Sequence, residues 1–413
     1  MANTTLTASI IAKAAVLQLD NNLVMAKKVF RGYEEEFSKS INGYEVGSSI
    51  SVRRPMDFTV RDGAVMNVQD TTEGKFTLNV DKRKGIDFEF TSQELTLDIK
   101  ELSERVIKPA MIQLANQIDS DLHAEYKNVS KWVGTPGQTI NSFADLAKGM
   151  ERLDQSAVPP EGRCAVLTPS DHWGMVGNLT GLFIERSANP AYRKGTLGEV
   201  GGVEMMMSQN NKTHTVGTNW DTGSTGLTNG AAQEVTYATS KDTNTQTLIT
   251  DGWSSGATTL NAGDVFTIAD VYDVNPVTKA ALPHLKQFTV VTTISDTTGD
   301  ITLTMSPAAI LTGAHQTVSA TIGDGAAIVQ VGTEATGYGQ NLMFTKNAFA
   351  LVSVPLVSPP GAVDVSRQSY NGTNVRVIPV YDGTNDISKW RLDVLYGVKT
   401  IDERCAVRVS GTA

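Results

Sequence analysis

Over residues 7–30 the apolar positions Ile10, Ala14, Leu17 and Val24 recur at helical spacing, which predicts an amphipathic N-terminal helix or arm. It runs into the acidic triplet Glu34, Glu35 and Glu36. After Gly43 and Gly47 the period changes to two. Ile50, Val52, Met56, Phe58 and Val60 alternate with Ser51, Arg53, Asp57, Thr59 and Arg61, the signature of a half-buried strand. A turn region around Gly63 leads to Phe76, Leu78, Val80, Ile86, Phe88 and Phe90, again alternating with polar residues, which predicts the return strand of a long hairpin. A two-stranded excursion has no opposite layer on which to bury its apolar face, so it needs a neighbour. The same chain or another subunit could supply one, and the sequence leaves both open.

Asp98 and Glu101 read as a capping box opening a helix whose apolar residues, Leu102, Val106, Ala110, Leu114, Ile118 and Leu122, fall four apart. Ile107, Met111 and Ala115 widen its buried face, and Pro109 must kink or restart it. From Ile99 to Tyr126 such a helix would span roughly 40 Å. Ser142 caps a shorter helix to Leu153, which Pro159 and Pro160 end. Arg163–Leu167 then reads as a buried strand, and Pro169-Ser170-Asp171 opens a further helix.

Between residues 211 and 342 the pattern becomes one of short β-type runs separated by turn residues: Val235–Tyr237, Val265–Ile268, Phe288–Ile294, Ile301–Met305 and Ala326–Val331. Longer strand-like runs follow at Ala348–Leu356, Val375–Val380, Trp390–Val398 and Cys405–Val409, with Gly383 and Gly397 as turn punctuation. Composition supports an insertion here. No arginine occurs between Arg193 and Arg367, and residues 211–340 hold four Lys against eleven Asp and Glu, a balance of −7. The other 283 residues therefore carry −2 of the chain's −9 and read as one interrupted host fold. At 413 residues, two or three domains are expected.

The acidic balance argues against a tight nucleic-acid binder, which needs clustered Lys and Arg. Lys13 and Asp20 interrupt the only apolar run near the N-terminus, so no secretion signal is expected. The best membrane candidate, 348–357, is short and contains Pro355, so no membrane partner is expected. Cys164 and Cys405 fit buried free thiols in a reducing cytoplasm.

Neither catalytic, cofactor nor metal chemistry is legible. The five histidines, at 123, 172, 214, 284 and 315, lack a second ligand at metal spacing. His172 reads as a capping or packing residue, Gly198–Gly202 as a tight turn, Met205–Met207 as core filler, and Asp119 and Asp121 as solvated carboxylates on a helix. Two clusters of opposite sign suggest subunit-interface residues: Glu34, Glu35 and Glu36 on one side, and Arg53, Arg54, Arg61, Lys82, Arg83 and Lys84 on the other. Against this stands the plain reading of solvated faces, whose pairs contribute about 0 to 1 kcal/mol each.

The order of an N-terminal helix, long hairpin, long helix and mixed α/β segments resembles the major capsid proteins of tailed bacteriophages, and in detail the coat proteins of short-tailed phages that carry an extra β-barrel. The matching stretches are Phe88-Glu-Phe-Thr-Ser-Gln-Glu-Leu95, Lys108-Pro-Ala-Met-Ile-Gln-Leu-Ala-Asn-Gln-Ile-Asp119, and the closing Tyr396-Gly-Val with Val407-Arg-Val. The resemblance implies an α+β capsid fold: N-arm 1–46, extended hairpin loop 47–97, spine helix and peripheral domain 98–139, a first axial part 140–210, an inserted all-β barrel-like domain 211–342, and an axial and peripheral return 343–413. It implies a non-enzymatic protein without cofactors. Copies would form pentamers and hexamers of an icosahedral shell around double-stranded DNA, with scaffolding and portal proteins as partners, assembling in the host cytoplasm into the virion capsid. An encapsulin-like compartment shell holding a cargo enzyme is the alternative use of the same fold. A threonine-rich adhesin is a third reading, which the long helix and the missing secretion signal oppose.

Overall fold

The computed structural model describes residues 8–38, 40–41, 44–45, 47–66, 68–69, 71–91, 106–181, 197–218, 226–253, 258–296, 299–359 and 365–412. The capping box at Asp98 and Glu101 lies outside the described residues, as do residues 92–95 of the first quoted stretch. The chain forms two compact units.

The first unit comprises residues 1–50, 77–123 and 349–399. The helix Ala8–Asn22 packs on the helix Lys108–His123 and on the strands Ser366–Tyr370 and Thr373–Asp382. On the long helix Met111, Ala115, Ile118 and Leu122 are buried as spacing predicts, whereas on the N-terminal helix the buried face is Ile11, Ala15 and Leu19, and the expected Ala14, Leu17 and Val24 are only half-buried. The described α-helix starts at Lys108, so Pro109 stands in its first turn. Residues 106–107 just before it are π-helical, so Pro109 sits where an irregular helical turn passes into the regular α-helix.

Asp119 corrects an expectation. It is not solvated: it is buried and accepts the backbone N–H groups of Val24 (2.7 Å) and Ala26 (3.0 Å), fixing the tight turn Met25–Lys27 to the long helix. Asp121 accepts the Tyr396 hydroxyl at 2.8 Å.

An antiparallel sheet completes this unit in the order Phe349–Val354, Ile387–Thr400, Thr373–Asp382, Ser366–Tyr370, with Lys82–Thr91 also pairing along Ile387–Thr400. The predicted return strand is therefore two strands. Lys75–Asn79 pairs with Ser49–Arg53, whereas Lys82–Thr91 pairs in register from Lys82↔Tyr396 to Thr91↔Ile387. The outgoing strand is also shorter than predicted, since residues 54–60 are irregular. Ten successive pairings with the long C-terminal strand satisfy more backbone groups than an isolated hairpin can. Gly397 lies within that strand and not in a turn: a Cβ there would stand 2.0 Å from the Asn79 carbonyl oxygen.

The second unit comprises residues 51–76, 124–348 and 400–413. Its first layer is a sheet in the order Trp132–Val133, Ala406–Val409, Asn341–Thr345, Arg163–Leu167, Val203–Met207, Glu199–Val200. Arg163–Leu167 has paired neighbours on both sides and is buried throughout, which explains its unbroken apolar run. The helix Phe143–Gln155 carries the capping box Ser142/Asp145. Its Gly149 lies where a Cβ would be 2.9 Å from a Val409 methyl, so the helix seats closely on the sheet. Met205 joins this core and Met207 is exposed, so the methionine run is only partly core filler. Cys405 closes the tight turn Glu403–Cys405 instead of sitting within the following strand.

The second core belongs to residues 213–339. The strands Thr213–Thr215 and Gly337–Gly339 pair with each other, so the segment leaves and rejoins the chain on one two-stranded stalk. Beyond it lies an antiparallel sheet in the order Leu227–Thr228, Gln246–Asp251, Ile301–Ser306, Ala281–Val290, Val265–Val274, Ile328–Gln330. Its first and last strands meet: Leu227 bridges Ala327, and the Ile328 N–H reaches the Gly226 carbonyl at 2.9 Å. Phe266, Phe288, Leu248, Leu303 and Met305 fill the interior of this barrel-like sheet. Two sequence readings change here. Residues 235–237 are not a strand, since Tyr237–Ser240 forms a short helix. Gln246–Asp251 is a strand that hydrophobicity missed, because polar Gln246 and Thr250 face inward and are hydrogen-bonded.

Candidate functional site

Residues 51–76 leave the second unit's body as a loop whose two arms are tied by polar contacts. Arg53 pairs with Glu73 at 3.3 Å, and the Thr59 N–H donates to the Gln69 side-chain oxygen at 2.9 Å. Arg61 turns back to donate to the carbonyls of Val65 (2.9 Å) and Gly63. The apolar side chains of the tip face outward. Phe58 is 59% exposed, Val60 100%, Val65 83%, Met66 77% and Val68 77%. Five large apolar groups within eleven residues form a patch of the kind that monomeric proteins avoid and interaction surfaces use.

The charged interface candidates divide by environment. On the loop, Arg53 is exposed with Glu73, Arg61 is folded onto its own turn, and Arg54 is half-buried. Lys82 stands 3.9 Å from Asp121. Arg83 donates to the Asp393 carboxylate at 2.9 Å, beside Arg376 at 2.5 Å and Arg391 at 3.0 Å. Burial would raise that carboxyl, but hydrogen bonds from Arg376, Arg83 and Arg391 hold it below the ordinary aspartate range. Lys84 is half-buried on the same strand as Arg83. The acidic triplet is likewise split: Glu35 and Glu36 are exposed, whereas Glu34 is 3.8 Å from Arg31 and its carboxylate lies against Gly372.

Around Glu34 the arm is fastened to a tight turn. Asn371 and Gly372 both have positive φ, 48° and 74°, and join two antiparallel strands. Arg31 donates to the Asn371 carbonyl and to the Thr373 hydroxyl, each at 2.6 Å, and the Asn371 amide donates to Asp20. Asn-Gly is a strong hairpin signal in sequence, so this anchor could have been found.

Burial pushes the Glu34 carboxyl up to about 7 and that of Asp119 up to about 6. Each holds its proton more tightly in the folded chain than in the unfolded one. Their contribution is thus fully present below the unfolded carboxyl range and is lost as pH rises through about 6 and then about 7. Glu34→Gln is expected to flatten this dependence and to stabilise the chain by about 1–2 kcal/mol at pH 8, the figure being reduced for partial exposure. Urea midpoints at pH 5.5 and pH 8, with and without the substitution, measure it.

A buried polar cluster sits where the 213–339 segment joins the rest of the second unit. Arg408 is fully buried, its guanidinium 5.1 Å from the Tyr126 ring centre and 5.5 Å from that of Trp132, and it donates to the Gly263 carbonyl at 2.9 Å. His214 is hydrogen-bonded to the Tyr126 hydroxyl (3.1 Å) and to Asp264 (2.8 Å), which in turn accepts the Asn261 N–H. Burial lowers the His214 pKa, favouring the neutral ring, and brings Arg408 down to about 10. The cluster lacks a nucleophile and an opening to solvent; what it does is hold one segment of chain against another. His172 is buried at a helix start, where neighbouring Asp171 accepts the Ile140 N–H, so its packing role stands. Among the described residues no group of His, Cys, Asp and Glu could hold a metal ion, and no helix is long and apolar enough to cross a membrane.

A family model described as P22 coat protein, gene protein 5, matches residues 1–409. No curated protein matches the chain. Among solved structures, the chain is similar to one titled Mycobacterium phage Che8, with 14% identity and a TM-score of 0.49, covering 94% of this chain and 90% of that one. It is similar to the bacteriophage PhiM1 mature capsid, with 11% identity and a TM-score of 0.44, covering 89% and 82%. It is also similar to a virus-like particle from Pyrococcus furiosus, with 8% identity and a TM-score of 0.39, covering 97% of each chain.

Proposed function

The chain belongs to the P22 coat protein family, and we propose on that basis that its copies assemble as pentamers and hexamers into an icosahedral shell enclosing a phage double-stranded DNA genome. It is a bacteriophage major capsid protein, a structural component of the virion and not an enzyme. The observation that carries the proposal is the match over 1–409, which takes in arm, loop, spine and insert together.

The geometry supports the same use. The loop offers a second copy an apolar tip, and the exposed Arg53–Glu73 pair at its base adds charge that would set register between neighbours. In this reading 1–46 is the N-arm, 47–97 the extended loop, 98–139 the spine and its peripheral surroundings, 140–210 and 343–413 the axial and returning parts, and 211–342 the inserted domain. Scaffolding and portal proteins are the assembly partners, in the host cytoplasm. Contact with packed DNA is weak and non-specific, as a host with a balance of only −2 allows. Shell contacts of modest strength let partial shells dissociate and correct errors, while many contacts per subunit hold the finished one.

The encapsulin-like alternative predicts particles with protein cargo and no genome. Purified particles treated with nuclease distinguish the two: protected double-stranded DNA with a portal at one vertex supports the capsid reading, and a bound enzyme with no nucleic acid overturns it.

Deleting 211–342 is expected to leave little soluble protein. Trp132, outside the segment, packs into the barrel-like core, and Arg408 and Tyr126 would lose Gly263 and His214. Soluble yield of the deletion variant measures this; normal yield and normal shells would remove a folding role for the segment.

A further inference from the structure

We propose that the 211–342 segment is a bracket for the extended loop of its own chain, gripping the base of the loop so that the apolar tip points in a set direction toward the next copy. The statement about the next copy rests on the assembly reading above; the bracket itself does not.

Both arms of the loop base touch the segment. On the returning arm, the Lys75 N–H donates to Asp242 at 3.1 Å. Beside it, Gly74 is buried and runs so close that a Cβ would stand 2.5 Å from the Lys241 carbonyl oxygen and 2.8 Å from the Tyr237 hydroxyl. On the outgoing arm, Asp57 receives His315 at 3.4 Å and Arg404 at 3.3 Å. His315 is in turn stacked flat on Tyr237, ring centres 3.5 Å apart at 10°. The arms are tied together between these points, with the Arg54 N–H on the Gly74 carbonyl at 2.8 Å.

Such an arrangement constrains direction and not merely attachment. One ion pair on an exposed arm leaves it free to swing. Two arms held at separate points, one by a main-chain approach that only glycine permits, leave little rotation about the base. The hydrogen bond from His315 is the chief reason that the Asp57 carboxyl lies below its ordinary range, in keeping with a contact formed in the folded chain. Beyond the held region, from Phe58 onward, apolar side chains are exposed. The grip therefore ends where the proposed contact with the next copy begins.

The test uses the full chain as dissociated subunits and as assembled particles. Gly74→Ala and, separately, His315→Ala are compared with the unsubstituted chain by hydrogen–deuterium exchange and electron microscopy. In the subunits, exchange over residues 51–57 and 71–79 is expected to rise by about tenfold or more in both variants, while Gln246–Asp251 and Ile301–Ser306 stay protected. In assembly, the variants are expected to give mixed sizes and open sheets where the unsubstituted chain gives one size. If Gly74→Ala fails to fold, His315→Ala alone decides. Unchanged loop exchange overturns the bracket, and faster loop exchange with uniform shells overturns its role in direction. Absence of shells from the unsubstituted chain overturns the assembly reading instead, and the exchange result still decides the bracket.

Discussion

A chain carrying Val60→Ser, Val65→Ser and Met66→Ser is expected to fold normally and to stop short of closed shells. All three side chains face solvent, so their replacement should change the stability of the subunit by no more than about 0.5 kcal/mol. At an interface the same side chains count differently. Each fully buried Val or Met contributes about 1.5–3 kcal/mol, so the triple change removes roughly 5 kcal/mol or more from every loop contact. A shell built from many modest contacts does not tolerate that loss at each one. Thermal melting of the subunit checks the first half, and sedimentation of assembled material the second. Normal shells from the triple variant would show that the tip is not an assembly surface.

Asp393→Ala is expected to act in the opposite way, through the subunit. The carboxylate is 2% exposed and receives Arg376, Arg83 and Arg391. Removing it leaves the Arg376 guanidinium buried without its countercharge, which costs about 3–5 kcal/mol. Against a typical total of about 5–15 kcal/mol, this should sharply reduce soluble yield and lower the melting temperature by many degrees. Arg83→Ala should cost no more than about 1 kcal/mol, since that side chain is half-exposed. Guanidinium denaturation of both variants checks the pair. Equal effects would mean that the buried carboxylate is not the centre of this network.

Local signals were well expressed in the sequence where the deciding interactions are themselves local. Ser142 with Asp145, and Pro169 with Thr168 and Asp171 around it, lie within one turn of the backbone they cap, and both helices form where spacing placed them. The uninterrupted run Arg163–Leu167 signalled a strand covered on both faces, and it has paired neighbours on both sides.

Where the partner lies far along the chain, the sequence was silent. Asp119 looked like any helix carboxylate because the N–H groups that bury it belong to Val24 and Ala26, about ninety residues earlier. Arg408, in a short Val-Arg-Val strand, has the alternation of a solvent-facing residue and is instead enclosed by Tyr126 and Trp132. The return strand read as continuous because alternation cannot show that its second half pairs with residues 387–396. Of the loop's functional features, Phe58 and Val60 were visible as an apolar face needing cover. Which side chains hold the base was not, since Asp57, Gly74, Asp242 and His315 have no shared spacing and meet only in the fold.

The most direct test of the central claim is electron microscopy of the purified chain, alone and with a candidate scaffolding protein. Closed shells of one diameter, with residues 58–68 buried against a neighbouring subunit in the reconstruction, are the expected result. Subunits that stay separate under every assembly condition, or shells in which 58–68 remain in solvent, would contradict it.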